Sequence, residues 1–269
     1  MRKRNLTIWV MVVVCMVSSQ ATALIEWNDG NTYNVNWQIP EDVRVDWEAP
    51  GMKTTVNLLN SGQINGYLWA YEDSHINVSG GSVDTLFAYG RSQIVFSAGS
   101  LQGLSANGNS WVDFSAGSVG NDLNAGGNSH IEMSGGVVNK AIEVYDSGQV
   151  QMYGGVVDEY IRAMDSGQIF FSGGSVAGDL VADDFGVLTI YGSDFAIDSQ
   201  PFGYGELVSI LGGASWDEST RHLSGTLANG DQLDNNFYIG HDASIILVPE
   251  PATLLLLGLG AMMLRRKAR

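Results

Sequence analysis

Asp146, Asp165, Asp183 and Asp184 are the residues of this chain whose type and spacing come closest to chemistry. Asp146, Asp165 and Asp184 recur at intervals of 19 residues, and Asp183 stands beside the last of them. Carboxylates stacked at such an interval repel one another and attract a hard cation such as Ca²⁺, which takes oxygen ligands. The same positions earlier in the chain hold Glu72, Gly90, Gly108 and Gly127. Aspartate and glycine exchange where a corner needs turn geometry, so the column also has a plain structural meaning. No cofactor is expected beyond a Ca²⁺ ion at these aspartates.

The remaining candidates are histidines. His75 and His130 occupy one position of a recurring unit, which elsewhere holds Gln93, Trp111, Gln149, Gln168 and Val187. A position that accepts Gln, Trp and Val reads as surface. Three units apart, the two imidazoles are separated by about 14 Å, too far to share a metal. His222 and His241 lie beyond the units, after Trp216-Asp217-Glu218 and next to Asp242, without a ligand spacing. The GGxGxDxUx nonapeptide of calcium-binding β-rolls is absent, as are a P-loop, HExxH and a Ser/His/Asp order. A polysaccharide lyase or glycosidase needs paired carboxylates, or a basic proton abstractor beside acids. The units carry only Arg91, Lys140 and Arg162 as basic residues, at unrelated positions, and no acid is marked by a break in the pattern. No catalytic residue is expected. A polysaccharide-active enzyme is the alternative reading.

These residues are positioned by a repeat. Ile76, Ile94, Val112, Ile131, Val150, Ile169 and Leu188 follow one another at 18 or 19 residues. Each has an apolar partner two positions on, from Val78 and Phe96 through to Ile190. Spacing of two puts both side chains on one face of a strand. A glycine-rich turn follows, as in Ser79-Gly80-Gly81 and Ser134-Gly135-Gly136. Then come one apolar residue, such as Val83 or Val138, and a second strand pair, such as Leu86 with Ala88 or Ile142 with Val144. The one-residue variation falls between those last two features, at a corner rather than in a strand. Val56, Leu58, Ile64, Leu68 and Ala70 form an earlier, less regular copy.

A unit this short cannot bury its own apolar face and must stack on its neighbours. In-register stacking predicts an all-β fold, a parallel β-solenoid of about seven turns over residues 54–195, roughly 30 Å long at the sheet spacing. Propeller blades run to about twice this period, and sandwich strands do not repeat in columns. The spacing is not that of hexapeptide repeats, which favours a right-handed β-helix. Ile94, Phe96, Val112, Phe114, Ile131, Met133, Ile169 and Phe171 are expected inside. Residues 24–53, with Trp27, Trp37 and Trp47 over the first rung and Pro40 and Pro50 interrupting, read as an N-terminal cap. Residues 196–247 read as a C-terminal cap, with strands at 207–211, 237–239 and 245–248 and a hairpin turn at Asn229-Gly230-Asp231.

Both chain ends look like address labels. Arg2, Lys3 and Arg4 precede the apolar stretch Leu6–Val17, and Ala21-Thr22-Ala23 fits a signal-peptidase site at the end of a signal peptide spanning 1–23. Cys15, the sole cysteine, lies inside that leader, so the mature chain has no disulfide and no thiol nucleophile. The whole chain carries a net charge of −16. With both ends set aside, six basic and 28 acidic residues remain, a balance of about −22. That surface makes nucleic acid a poor partner.

Residues 248–269 read VPEPATLLLLGLGAMMLRRKAR. Pro249-Glu250-Pro251 is followed by the uncharged run Ala252–Leu264, short of the roughly 20 residues of a comfortable span, and then by Arg265, Arg266, Lys267 and Arg269. This layout resembles the PEP-CTERM sorting signal of Gram-negative bacteria. Together with the repeats, it resembles solenoid proteins that bear such a tail. The resemblance implies recognition by exosortase, transient residence at the inner membrane and removal of the tail. It implies export to the envelope, cell surface or extracellular matrix, with a structural or adhesive role and extracellular polysaccharide as a possible neighbour. The competing reading of the tail is a membrane anchor.

Overall fold

The computed structural model describes residues 24–207 and 221–250. The described residues form strands and corners and contain no helix. The strands make a parallel β-solenoid of about nine turns, each turn laying strands on three faces.

On the first face, Thr32–Val35 pairs in parallel with Thr55–Leu58, and that strand with the start of His75–Ala88. The ladder continues through the start of Gln93–Ala106 and through Trp111–Phe114, His130–Met133, Gln149–Met152, Gln168–Phe171 and the start of Val187–Ile197. Ser244–Pro249 closes it. The second face is built of two-residue strands such as Ser118–Val119 and Val137–Val138. The third stacks segments such as Leu123–Ala125, Ile142–Val144 and Ile161–Ala163.

The register is the one the spacing predicts. Ile76, Ile94, Val112 and Ile131 are successive partners, as are Val78, Phe96, Phe114 and Met133. Like residues stack on like, and the eight side chains expected inside are buried. Phe96 and Phe114 stack with centroids 4.8 Å apart and planes 7° from parallel. Each fully buried large apolar side chain contributes about 1.5–3 kcal/mol of transfer free energy. The core is therefore a set of continuous apolar columns.

The corner between first and second faces needs glycine for two reasons. Gly117 and Gly136 have φ of 106° and 83°, a region that side chains disfavour. A Cβ at either would also lie 2.8 Å or 2.6 Å from the Phe96 or Phe114 ring of the preceding rung.

Both ends differ from expectation. The stack exceeds seven turns because the segment expected to cap it supplies rungs. Leu24–Trp27 pairs in parallel with Asp42–Val45, and that strand with Gln63–Ala70. Trp27 faces inward, buried, and stacks on Tyr33 at 4.3 Å. Trp37 is half exposed and Trp47 sits on a corner against Tyr71, so the three tryptophans do not jointly cover the first rung.

At the other end the chain leaves the stack after Gly192. Residues 193–197 pair antiparallel with Arg221–Leu227, which turns back through Asn229 and Gly230 into Gln232–Ile239. Phe237, Tyr238 and Ile239 then rejoin the third face as a parallel rung on Leu180, Val181 and Ala182. The C-terminal segment is thus a last turn with an antiparallel insertion where a second-face strand belongs. Of the strand expected at 207–211, only Leu207 is among the described residues, buried and bonded to Ile245.

Candidate functional site

The aspartate column lies at the corner between third and first faces. Asp146, Asp165 and Asp184 have φ of 56°, 53° and 52°, and Glu72 has 50°. The glycines that share the column, Gly90, Gly108 and Gly127, have 65°, 69° and 61°. Every member is left-handed, a conformation that glycine and aspartate tolerate best. Backbone geometry therefore explains the exchange of Gly and Asp. Asp146 Oδ2 accepts the Gly127 N–H at 3.2 Å. Asp183 lies off the column. Its Oδ2 bonds Arg162 Nη2 at 2.7 Å and its Oδ1 accepts the Asp184 N–H at 3.0 Å. Among the described residues, no three His, Cys, Asp or Glu side chains converge as metal ligands would.

The histidines are held apart. His75 and His130 occupy one first-face column, with Gln93 and Trp111 between them. The His130 ring stacks on Trp111 at 4.1 Å. Burial, aided by Lys53, holds His75 below the ordinary imidazole range. His222 pairs with Asp234 at 3.0 Å, and His241 with its neighbour Asp242 at 2.6 Å. Trp216-Asp217-Glu218 lies outside the described residues.

The outward side of the third face carries features that the sequence reading did not single out. Trp69 and Phe87, on successive rungs, are near-parallel at 16° with centroids 6.3 Å apart. Beside them Tyr71 stacks on Tyr89 at 5.2 Å and 12°. Tyr67 lies crosswise to Trp69 and Phe87, at 61° and 72°, and Trp47 crosswise to Tyr71 at 68°. The Arg44 guanidinium sits 5.2 Å and 5.4 Å from the Trp47 and Trp69 rings and 3.8 Å from Glu26. The signal was present: in Tyr67-Leu68-Trp69-Ala70-Tyr71 and Leu86-Phe87-Ala88-Tyr89 the residues alternating with the buried ones are aromatic. Further along the same face, Tyr160 donates its hydroxyl to Glu143 Oε1 at 2.8 Å. Burial first, and then that carboxylate, push the phenol up to about 12. On the first face a cavity of about 400 Å³ is lined by Gln151, Tyr153, Phe170, Ser172, Tyr191 and Ala228.

The sorting motif begins inside the fold. Ser244–Pro249 pairs in parallel with Val187–Gly192, setting Pro249 opposite Gly192. Its other edge is bonded by Gly205–Glu206 only as far as Ile246 and Leu247. Proline, which has no N–H to donate, fits the end of a strand that has no partner on its far side among the described residues. Glu250 follows the strand directly. Pro251, Arg265, Arg266, Lys267 and Arg269 lie outside the described residues, as do Ala21 and Ala23 of the leader.

A family model described as the PEP-CTERM protein-sorting motif matches residues 247–267. No curated protein and no solved structure matches the chain. Among the described residues no helix is long and apolar enough to cross a membrane. The match covers the tail that the residue order had singled out, and its first residues are the end of the last solenoid strand. The chain is a parallel β-solenoid that carries a PEP-CTERM sorting motif, the exosortase-recognised signal of an exported protein associated with the cell envelope.

Proposed function

We propose that the exported protein is a non-catalytic structural or adhesive component of the cell surface or extracellular matrix. The observation that carries this reading is the continuity of the stack. From Thr32 to Leu247 the first face is one in-register ladder, and among the described residues no rung is displaced to open a cleft between carboxylates. A solenoid of this kind offers long lateral faces whose outward groups recur at the sheet spacing of about 4.8 Å. Asn34, Asn57 and Asn77 form such a ladder, their side chains bonded at 2.7 Å and 2.8 Å. A surface with that periodicity suits contact with an extended polymer. Its acidity keeps the protein soluble outside the cell.

In this reading exosortase and the inner membrane are partners of transit, and extracellular polysaccharide is the lasting one. The test compares the matrix of producing cells with that of cells lacking the gene. The expected result is protein recovered in the matrix fraction, and a matrix less cohesive without it but of unchanged polymer length. Shortened polymer in the presence of the purified protein, lost on changing clustered carboxylates, would make it an enzyme and overturn the reading.

A further inference from the structure

We infer that the aromatic cluster on the third face binds the chain of a neutral polysaccharide. The inference rests on the matrix reading above and names the chemistry that this surface would recognise. Six rings, those of Trp47, Tyr67, Trp69, Tyr71, Phe87 and Tyr89, lie together on the outward side of successive rungs. Outward positions of a solenoid need no aromatic residue for the core, which here is complete with Leu68, Ala70, Leu86 and Ala88 buried beneath. An exposed aromatic patch on an otherwise acidic, polar protein marks an interaction site.

The arrangement selects the occupant. Trp69 with Phe87 and Tyr71 with Tyr89 form two rows that run from rung to rung, their ring centroids 6.3 Å and 5.2 Å apart. The two crosswise rings, Tyr67 and Trp47, are the most exposed, at 42% and 36%. Sugar rings present patches of C–H bonds that stack on aromatic faces while their hydroxyls bond at the rim. The next rung in register supplies that rim. Gly103 and Ser105 follow Thr85 and Phe87, and Asn107 follows Tyr89, so the aromatic block ends in a step lined by hydroxyl and amide groups. Asn107 already donates to Ser105 Oγ at 2.9 Å.

Charge selects against a polyanion. Arg44 is the cation at the patch, and it is spent on Glu26 and on the two indoles. Arg91 is bonded to Asp73 at 2.7 Å. Lys53 likewise lies close to Asp73, so among the described residues each cation beside the patch faces a carboxylate. Size selects against a second copy of this chain. Six rings of about 200 Å² each, Tyr67 and Trp47 at 42% and 36% exposed and the other four less, offer roughly 400 Å², about half of what each partner of a stable dimer buries.

Affinity electrophoresis in native gels tests this with the protein purified from producing cells, using hydroxyethylcellulose and galactomannan as neutral probes and alginate as the anionic one. Retardation by at least one neutral probe and not by alginate is expected. Tyr67→Ala and Trp69→Ala should weaken it about tenfold, and Tyr67→Phe should retain it. Tyr153→Ala, on the first face, should leave it unchanged. Circular dichroism and the melting midpoint of each variant confirm the fold. No retardation by either neutral probe would overturn the inference. So would equal retardation by alginate, binding that survives both alanine variants in folded protein, or a patch-dependent rise in mass with concentration by sedimentation. The matrix reading fails separately, if the wild-type protein is absent from the matrix fraction of producing cells.

Discussion

Aspartate at a left-handed corner does two jobs that are easily confused. Its short polar side chain tolerates positive φ, and its charge attracts cations. At Asp146, Asp165 and Asp184 the backbone angle accounts for the residue type, because glycine holds the same angle three rungs in succession at Gly90, Gly108 and Gly127. Replacing Asp165 with Gly should therefore change stability by less than about 1 kcal/mol, whereas Asp165→Val should cost about 1–2 kcal/mol. Denaturant midpoints of the two variants check this. Millimolar Ca²⁺ should leave the thermal midpoint where a chelator leaves it. A rise on adding Ca²⁺ would show that the column also binds metal, since a ligand of the folded state stabilises by mass action.

Tyr160 gives a second prediction at this scale. Its phenol is pushed up to about 12, by burial and then by Glu143. The folded value lies above the ordinary 10, so the folded state holds the proton longer than the unfolded one. The contribution is full below pH 10 and is lost as pH rises towards 12. Spectrophotometric titration at 295 nm should show Tyr160 ionising late, alongside Tyr33, Tyr71, Tyr89 and Tyr153, which are also raised, together with a fall in stability over that window. Tyr160→Phe should remove one phenol from the latest part of the titration.

At the scale of strands and corners, stability depends on vertical columns. Phe114 is buried, stacked on Phe96 and paired in register with Met133. Phe114→Ala should cost about 3–5 kcal/mol, and Phe114→Asp more, because it also buries an unpaired charge. Chemical denaturation followed by circular dichroism measures both. If Phe114→Ala left the midpoint unchanged, the column would not be a core.

The regular middle of this architecture was legible because period and burial agree. Where Ile94, Val112 and Ile131 recur at 18 or 19 residues, each rung repeats the same inward pattern. The first rungs were not legible, for a geometric reason. Asn57 stacks on Asn34 across 23 residues because the corner between Val45 and Thr55 is enlarged by residues 46–54, and Asn77 stacks on Asn57 across 20 in a rung whose register shifts between Ile64 and Tyr67. A longer corner destroys the period without disturbing the register. The last rung was hidden in the same way, since the antiparallel excursion between Gly192 and Phe237 separates it from the repeat. The aromatic cluster escaped because the repeat defines inward positions, and outward ones vary freely from rung to rung. The Gly and Asp exchange, in contrast, was readable as turn chemistry from residue types alone.

For the whole molecule, the solenoid and the sorting signal share a boundary. Pro249 is both the last residue of Ser244–Pro249 and the first of the Pro-Glu-Pro motif, so the last described strand runs into the address. We propose that this exported chain is handed to exosortase by that motif and retained outside the cell without its apolar and basic tail. Mass spectrometry of the protein recovered from the surface and matrix of producing cells tests this most directly. The predicted species starts at Leu24 and lacks Ala252–Arg269, and it is missing from cells without exosortase. A surface-localised form that still carries Ala252–Arg269 would contradict the account and make the tail an anchor.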